Sequence, residues 1–329
     1  MTNEYGYYDF HVHVGEQISG YDLRDSFSDL ARLSEREQNP ENPPLLGIGA
    51  FVTEEATEPL SAKLTRMQEL AAKDFGLPVF WHLTPIHSSL EEIYPLLQEG
   101  HDLKFYTCYS QMGLRKDYEE IDRWMAELKD LKTRILVHCE DDLIIERSSA
   151  QQTFRIPFDH TFRRPEIAED KAVGIILDLA VKHSHPVHIV HISSPTSAML
   201  VKEAKRSFDS ISCETAPQYL LHNEELLREP DAHRLLCTPP YRKESSRGKL
   251  LELLQDGVID IIASDHCPFP DTLKDKYKSD LSRIPMGIPG VATLYSSLHE
   301  ALVVPGKIKA EDLVRMTYTT PKKLMNLEG

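Results

Sequence analysis

Eight short runs rich in β-branched and aromatic residues punctuate this chain, and their spacing constrains the fold more than any other feature. They are YYDFHVHV (7–14), LLGIGAFV (45–52), LPVFWHLT (77–84), DLKFYTCY (102–109), TRILVHCE (133–140), HPVHIVHIS (185–193), SISCE (210–214) and VIDIIASDH (258–266). Between most of them lie stretches with apolar residues at helical spacing: AKLTRMQELAAKDF, SLEEIYPLLQEG, YEEIDRWMAELKDL, EDKAVGIILDLAVKHS and PTSAMLVKEAKRSF. Strands that alternate with helices form parallel sheets with helical crossovers, and eight such units predict an α/β chain folded as a (β/α)8 TIM barrel. An open doubly wound sheet is the competing arrangement, but no G-x-G-x-x-G follows the first run. With no repeat, low-complexity tract or linker in view, residues 1–329 are read as one barrel domain. Two stretches after strands, 147–165 and 267–290, are rich in Pro, Ser, Asp and basic residues and are read as long loops. In a barrel, such loops carry the active site.

The ends of the runs hold the chemistry. His11 and His13 end the first, Lys104 lies in the fourth, His138 in the fifth, His191 in the sixth and Asp265 in the last. Strict alternation along a strand puts Asp9, His11 and His13 on one face and Phe10, Val12 and Val14 on the other. The apolar set suits outer helices, so the polar set points into the barrel, where it is costly unless satisfied. A metal satisfies it, because imidazole and carboxylate are the usual ligands of hydrolytic zinc, and four His with one Asp are enough for more than one ion. Lys104 is the odd member. A buried lysine has a lowered pKa and can be neutral, and a neutral amine reacts with CO2 to give an anionic carbamate able to bridge two metals. Taken singly, each residue has an ordinary reading: a lysine extended to the rim, hydrogen-bonded core histidines, an aspartate capping a turn. Their joint appearance at strand ends is what selects the metal. His188 is assigned to packing, and His183, His185, His222, His233 and His299 to helix or loop surfaces. His266, next to Asp265, is close enough to reach the site.

The formal net charge of −15 argues against nucleic acid or anionic membrane as a partner. No apolar run approaches the ~18 residues of a membrane span, and no signal-peptide pattern opens the sequence. Five scattered cysteines without a C-x-x-C suggest reduced thiols and a cytoplasmic address.

From Asp9 to about Leu327 the chain resembles the cyclic amidohydrolases of the amidohydrolase superfamily: dihydroorotases, dihydropyrimidinases or hydantoinases, and allantoinases. DFHVHVG is similar to that family's first-strand His-x-His, and LKFYTCY to its carboxylated-lysine segment, with Tyr109 five residues after Lys104 as in hydantoinases. VHCED and VHISS resemble its two single-histidine metal motifs. HTFRRPEIAED (160–170), CETAPQYLL (213–221) and CTPPYR (237–242) resemble further landmarks, and IIASDHCPFP with IPMGIPGV (284–291) is hydantoinase-like. The resemblance implies a binuclear site of two Zn2+ ions: His11, His13, carboxylated Lys104 and Asp265 on one, Lys104, His138 and His191 on the other. It implies hydrolysis of a small cyclic amide or imide by a metal-bridging hydroxide, with Asp265 as base and then acid and Tyr109 as a donor to the oxyanion. Backbone groups around Thr238 and from Met286 and Gly287 to Gly290 would orient the ring. Homodimers or homotetramers are common in the family.

Three departures stand out. Dihydroorotases carry a carboxylate-gripping arginine where this chain has Gly15, and Arg163, Arg164 or Arg283 would have to replace it for a charged substrate. The Met-Pro-Asn after the second strand is replaced by FVTEEATEP (51–59), and the asparagine usual before Gly-Ile-Pro-Gly-Val is Met286. The family's accessory β-sandwich finds no room in these residues, so a barrel alone is expected. Two other classes compete with the cyclic amidase reading. One is a non-catalytic relative that serves as a scaffold or partner-binding protein. The other is a zinc enzyme acting on phosphoesters or in deamination.

Overall fold

The computed structural model describes residues 6–18, 20–36, 39–131 and 133–327. Eight strands follow one another around a barrel: β1 Tyr7–Val12, β2 Leu45–Thr53, β3 Val79–Thr84, β4 Asp102–Tyr106, β5 Ile135–His138, β6 Val187–Ile189, β7 Ile211–Thr215 and β8 Ile261–Ile262. Neighbours in sequence are neighbours in the sheet, and every ladder between them is parallel. Helices Leu60–Asp74, Leu90–Gln98, Tyr118–Glu127, Glu166–His183, Pro195–Ala204 and Glu244–Gln255 make the crossovers. Their apolar stripes, such as Leu64, Met67 and Ala71 or Ala172, Ile176 and Ala180, pack on the outward residues of the strands in one large core. A smaller core fills the barrel interior from Tyr8, Phe10, Phe51, Leu136, Val190, Ile261, Ala263 and Met325. No helix of the described residues is long and apolar enough to cross a membrane.

Between β1 and β8 there is no ladder. The seam closes through single contacts: His13 N donates to His266 O at 2.8 Å, His266 N to His11 O at 3.2 Å, and Ser264 N to the Asp9 carboxylate at 3.0 Å. Asp9 accepts from His11 N as well, at 3.3 Å. Asp9 therefore serves the seam, and the strict alternation expected of β1 does not hold. Asp9 pairs with Ile48 and Val12 with Ala50, so three steps of β1 span two of β2. That extra residue lets consecutive side chains point inward: Phe10 meets the rings of His82 and His188, while His11 meets those of Phe51 and His191.

The loop expected over 147–165 is mostly helical, in Asp142–Gln151 and Asp159–Arg163. Asp141 caps the first by accepting from Ile144 N, and Asp159 accepts from Arg155 N and Ile156 N. The stretch 267–290 folds around a short helix, Asp271–Lys276. Two histidines expected on the surface are buried instead, His185 among core residues and His233 on Asp275 at 2.8 Å. All five cysteines are buried and unpaired.

Candidate active site

His11, His13 and Asp265 bring one ligand atom each within 4.8 Å of one another. The Nδ1–H of His11 donates to Glu214 on β7, and Nε2 lies 3.2 Å from Asp265 Oδ1. Burial lowers His11 to about 3, so it is neutral, and the bond to Glu214 leaves the Nε2 lone pair facing the site. Burial alone would raise Glu214, but His11 and the His188 bond at 3.1 Å together hold it below the usual carboxylate range. His188, expected only to pack, is thus joined to the site through Glu214. The Nδ1 of His13 is likewise fixed by Glu16 at 3.1 Å, whose other oxygen accepts from Thr53 N. Burial pushes the Asp265 carboxyl up, against the opposing charge of Lys104.

The second half is built on β4, β5 and the turn after β6. The Nδ1 of His138 and Nε2 of His191 converge at 2.8 Å. His138 Nε2–H donates to Glu140 at 2.8 Å, and Arg164 pins that carboxylate from behind. Burial lowers His138 to about 4 and drives His191 down too, with the neighbouring His138 adding to it. Cys108, His138 and Glu140 also lie close enough to hold an ion, but the Arg164 guanidinium already bonds Glu140 and Cys108 there. Lys104 lies near both halves. It is 1% exposed, and its Nζ has no hydrogen-bond partner among the described residues, only the Phe51 and Tyr106 rings at 5.2 and 5.0 Å. Burial lowers it to about 8. A buried amine left unpartnered beside neutral imidazoles is what a bridging carbamate with metals would satisfy, so these residues fit the implied group. The left-handed backbone adds to the picture: Tyr109, His191 and Asp265 have φ of +70, +39 and +53°, the kind of strain that persists where surrounding structure fixes a functional side chain.

Above these residues opens a cavity of about 720 Å³. Tyr109, Thr238, Met286 and Gly287 line it, and the Tyr109 hydroxyl meets Thr238 Oγ1 at 2.6 Å. Gly287 sits so close that an added Cβ would meet Cys267 O at 2.5 Å. Of the three arginines considered, only Arg283 lines the cavity, lying over the Tyr277 ring at 4.4 Å. Arg163 turns away, donating to Ser149 O and Gln152 O at 3.0 and 2.6 Å. Arg164 is held under the Tyr109 ring at 5.0 Å by Glu140. His266 does not reach the cavity. Its Nδ1 accepts from Gly290 N at 3.1 Å and so anchors the 286–290 wall from behind. Glu54, in the stretch that replaces Met-Pro-Asn, lines the cavity and accepts from the backbone N–H groups of Ile86, His87 and Ser88. Glu214, Glu16 and Glu140 are the residues that sequence reasoning missed. The signal for Glu214 was an acid inside a predicted strand.

No family model matches the chain. The D-phenylhydantoinase of Escherichia coli O81 (strain ED1a) is 31% identical over 247 residues, which are 73% of this chain and 53% of that protein. The D-phenylhydantoinase of Escherichia coli O1:K1 / APEC matches to the same extent. This chain belongs to the cyclic amidohydrolases of the amidohydrolase superfamily. It spans about half the length of the curated relatives it matches. Among solved structures, the fold of this amidohydrolase is shared with the dihydropyrimidinase from Brevibacillus agri NCHU1002 (TM-score 0.87, 24% identity, covering 98% of this chain and 71% of that one). The dihydroorotase of Campylobacter jejuni is less similar (TM-score 0.68, 16% identity, covering 99% and 84%). At Gly15 the amidohydrolase shows why its first loop differs. The residue has φ +71°, and a Cβ there would meet Phe27 Cε2 at 2.8 Å and Met67 Cε at 3.1 Å. A Cβ at this position would press on those two side chains, and Gly15 is not among the residues that line the cavity.

Proposed function

We propose that this amidohydrolase hydrolyses the C–N bond of a cyclic amide or imide, of the hydantoin or dihydropyrimidine type, with two zinc ions and a carboxylated Lys104. The observation that carries this reading is the buried Lys104 amine, without a hydrogen-bond partner among the described residues, beside two converging sets of candidate ligands. Carboxylation adds CO2 to the neutral amine with loss of one proton, leaving N–COO−. His11, His13, Lys104 and Asp265 would hold one ion, and Lys104, His138 and His191 the other. Bound there, the ions supply a hydroxide nucleophile at neutral pH and a Lewis acid for the carbonyl oxygen. Asp265 takes the proton of the nucleophile and returns it to the leaving nitrogen as the C–N bond breaks. Tyr109 offers its hydroxyl to charge developing on the carbonyl oxygen. The backbone around Thr238, Met286 and Gly287 orients the ring, and Arg283 is the arginine at hand for a substrate with a carboxylate.

Metal analysis of protein prepared with zinc and bicarbonate should find about two ions per chain. Assay of hydantoins, dihydrouracil, allantoin and dihydroorotate should then give turnover, with dihydroorotate the poorest. Asp265→Asn should abolish it, by at least about a thousandfold, while keeping most of the zinc. Protein that binds no metal, or a fully active Asp265→Asn variant, would sink this mechanism.

A further inference from the structure

Lys274, in the helix Asp271–Lys276, lies behind the cavity wall and is 1% exposed. No ion pair joins it to a carboxylate among the described residues. Its Nζ donates to three carbonyl oxygens instead: Arg234 O at 2.8 Å, Leu236 O at 3.3 Å and Gly287 O at 2.5 Å. Burying an ammonium without a counter-ion is expensive, so its place here is explained only by the carbonyls it serves. Three carbonyl dipoles aimed at one point repel one another unless a cation stands between them. Burial brings Lys274 down to about 8, which still leaves an ammonium at neutral pH.

The carbonyls belong to two backbone segments that meet at the cavity wall. One runs from Arg234 to Thr238, the other through Met286 and Gly287, and Gly287 N donates to Leu236 O at 2.9 Å. Thr238 and Met286 reach the cavity within two residues of a clamped carbonyl. We propose that Lys274 is a positioning residue for substrate recognition, its ammonium fixing the gap between the Thr238 and Met286–Gly287 walls so that a cyclic amide ring fits between them. This rests on the cyclic amidase reading for its kinetic consequence, but the clamp itself does not.

The test compares Lys274→Met and Lys274→Gln with the unmodified, zinc-loaded enzyme. Lys274→Met should raise KM about tenfold with kcat within about twofold and zinc content unchanged, and Lys274→Gln, which restores N–H donors, should recover part of the loss. Amide hydrogen exchange of peptides spanning 234–239 and 284–291 should quicken in Lys274→Met, and Cys267, which lines the cavity against Gly287, should react faster with thiol reagents. Unchanged KM with unchanged exchange, or a fall in kcat at constant KM, would overturn the proposal. If Lys274→Met does not fold, Lys274→Gln is held to the same criteria. Should the unmodified enzyme turn over no cyclic amide, the functional reading fails, and exchange with Cys267 labelling alone decides the clamp.

Discussion

At the scale of single residues, Glu214 does for His11 what Glu140 does for His138. Each carboxylate takes the ring N–H that faces away from the site, fixing the tautomer and leaving the other nitrogen free to bind. Glu214 is more exposed to failure, because it serves His11 and His188 at once and has nowhere to shed its charge. Glu214→Gln should weaken zinc binding by about 10–100-fold, read by competition with a chelator. Unchanged affinity would show that the His11 ring is oriented by its packing on Phe51 instead. The proposed ligands were legible in the sequence as candidates, since each ends or follows an apolar run that must be a strand. Their carboxylate partners were not. Glu214 is 203 residues from His11, and only closure of the barrel brings the two together.

At the scale of elements, the first strand and its following loop carry the most specific chemistry. The extra residue in β1 breaks alternation and turns Phe10 and His11 inward together, while Asp9 leaves the interior to close the seam. Period-two reasoning fails there because one inserted residue reverses every facing after it. Just beyond, Gly15 turns the chain in the left-handed region against Phe27 and Met67. Gly15→Arg should cost roughly 2–4 kcal/mol of stability, from backbone strain plus overpacking, and lower the thermal midpoint. It should also fail to confer dihydroorotate hydrolysis, because Gly15 is not among the residues that line the cavity. A gain of that activity at undiminished stability would contradict this placement. The stretch 147–165 was misread for a different reason. Its composition is that of a loop, but Asp141, just before it, caps a helix that runs into it, and Asp159 ties Arg155 and Ile156 to the start of the second.

At the scale of the whole molecule, the barrel buries an unusual number of neutral histidines. Burial brings His11, His160 and His266 to about 3 and His138 and His185 to about 4, all from 6.5. A histidine whose folded pKa is depressed contributes stability that is fully present above pH 6.5 and is lost as pH falls toward the folded value. Asp9 works the other way: burial raises it to about 7, so its contribution is present below 3.8 and lost as pH rises through 7. The histidines outnumber it. Metal-free protein should therefore lose thermal stability steadily from pH 6.5 toward 4, and zinc-loaded protein more steeply, as protons displace the metal. Calorimetry across that range checks this, and a flat profile would mean that the histidines are not neutral in the fold. The sequence by itself determined the barrel and marked the six positions proposed to bind metal, because strand periodicity and strand-end placement are local properties of the chain. It also determined that the dihydroorotase arginine is absent. Only the tertiary structure decided which arginine reaches the cavity, that His266 lies behind its wall, and which carboxylates orient the ligands. Those choices depend on distances between residues far apart in the chain, and a closed barrel fixes such distances only when all eight strands are in register.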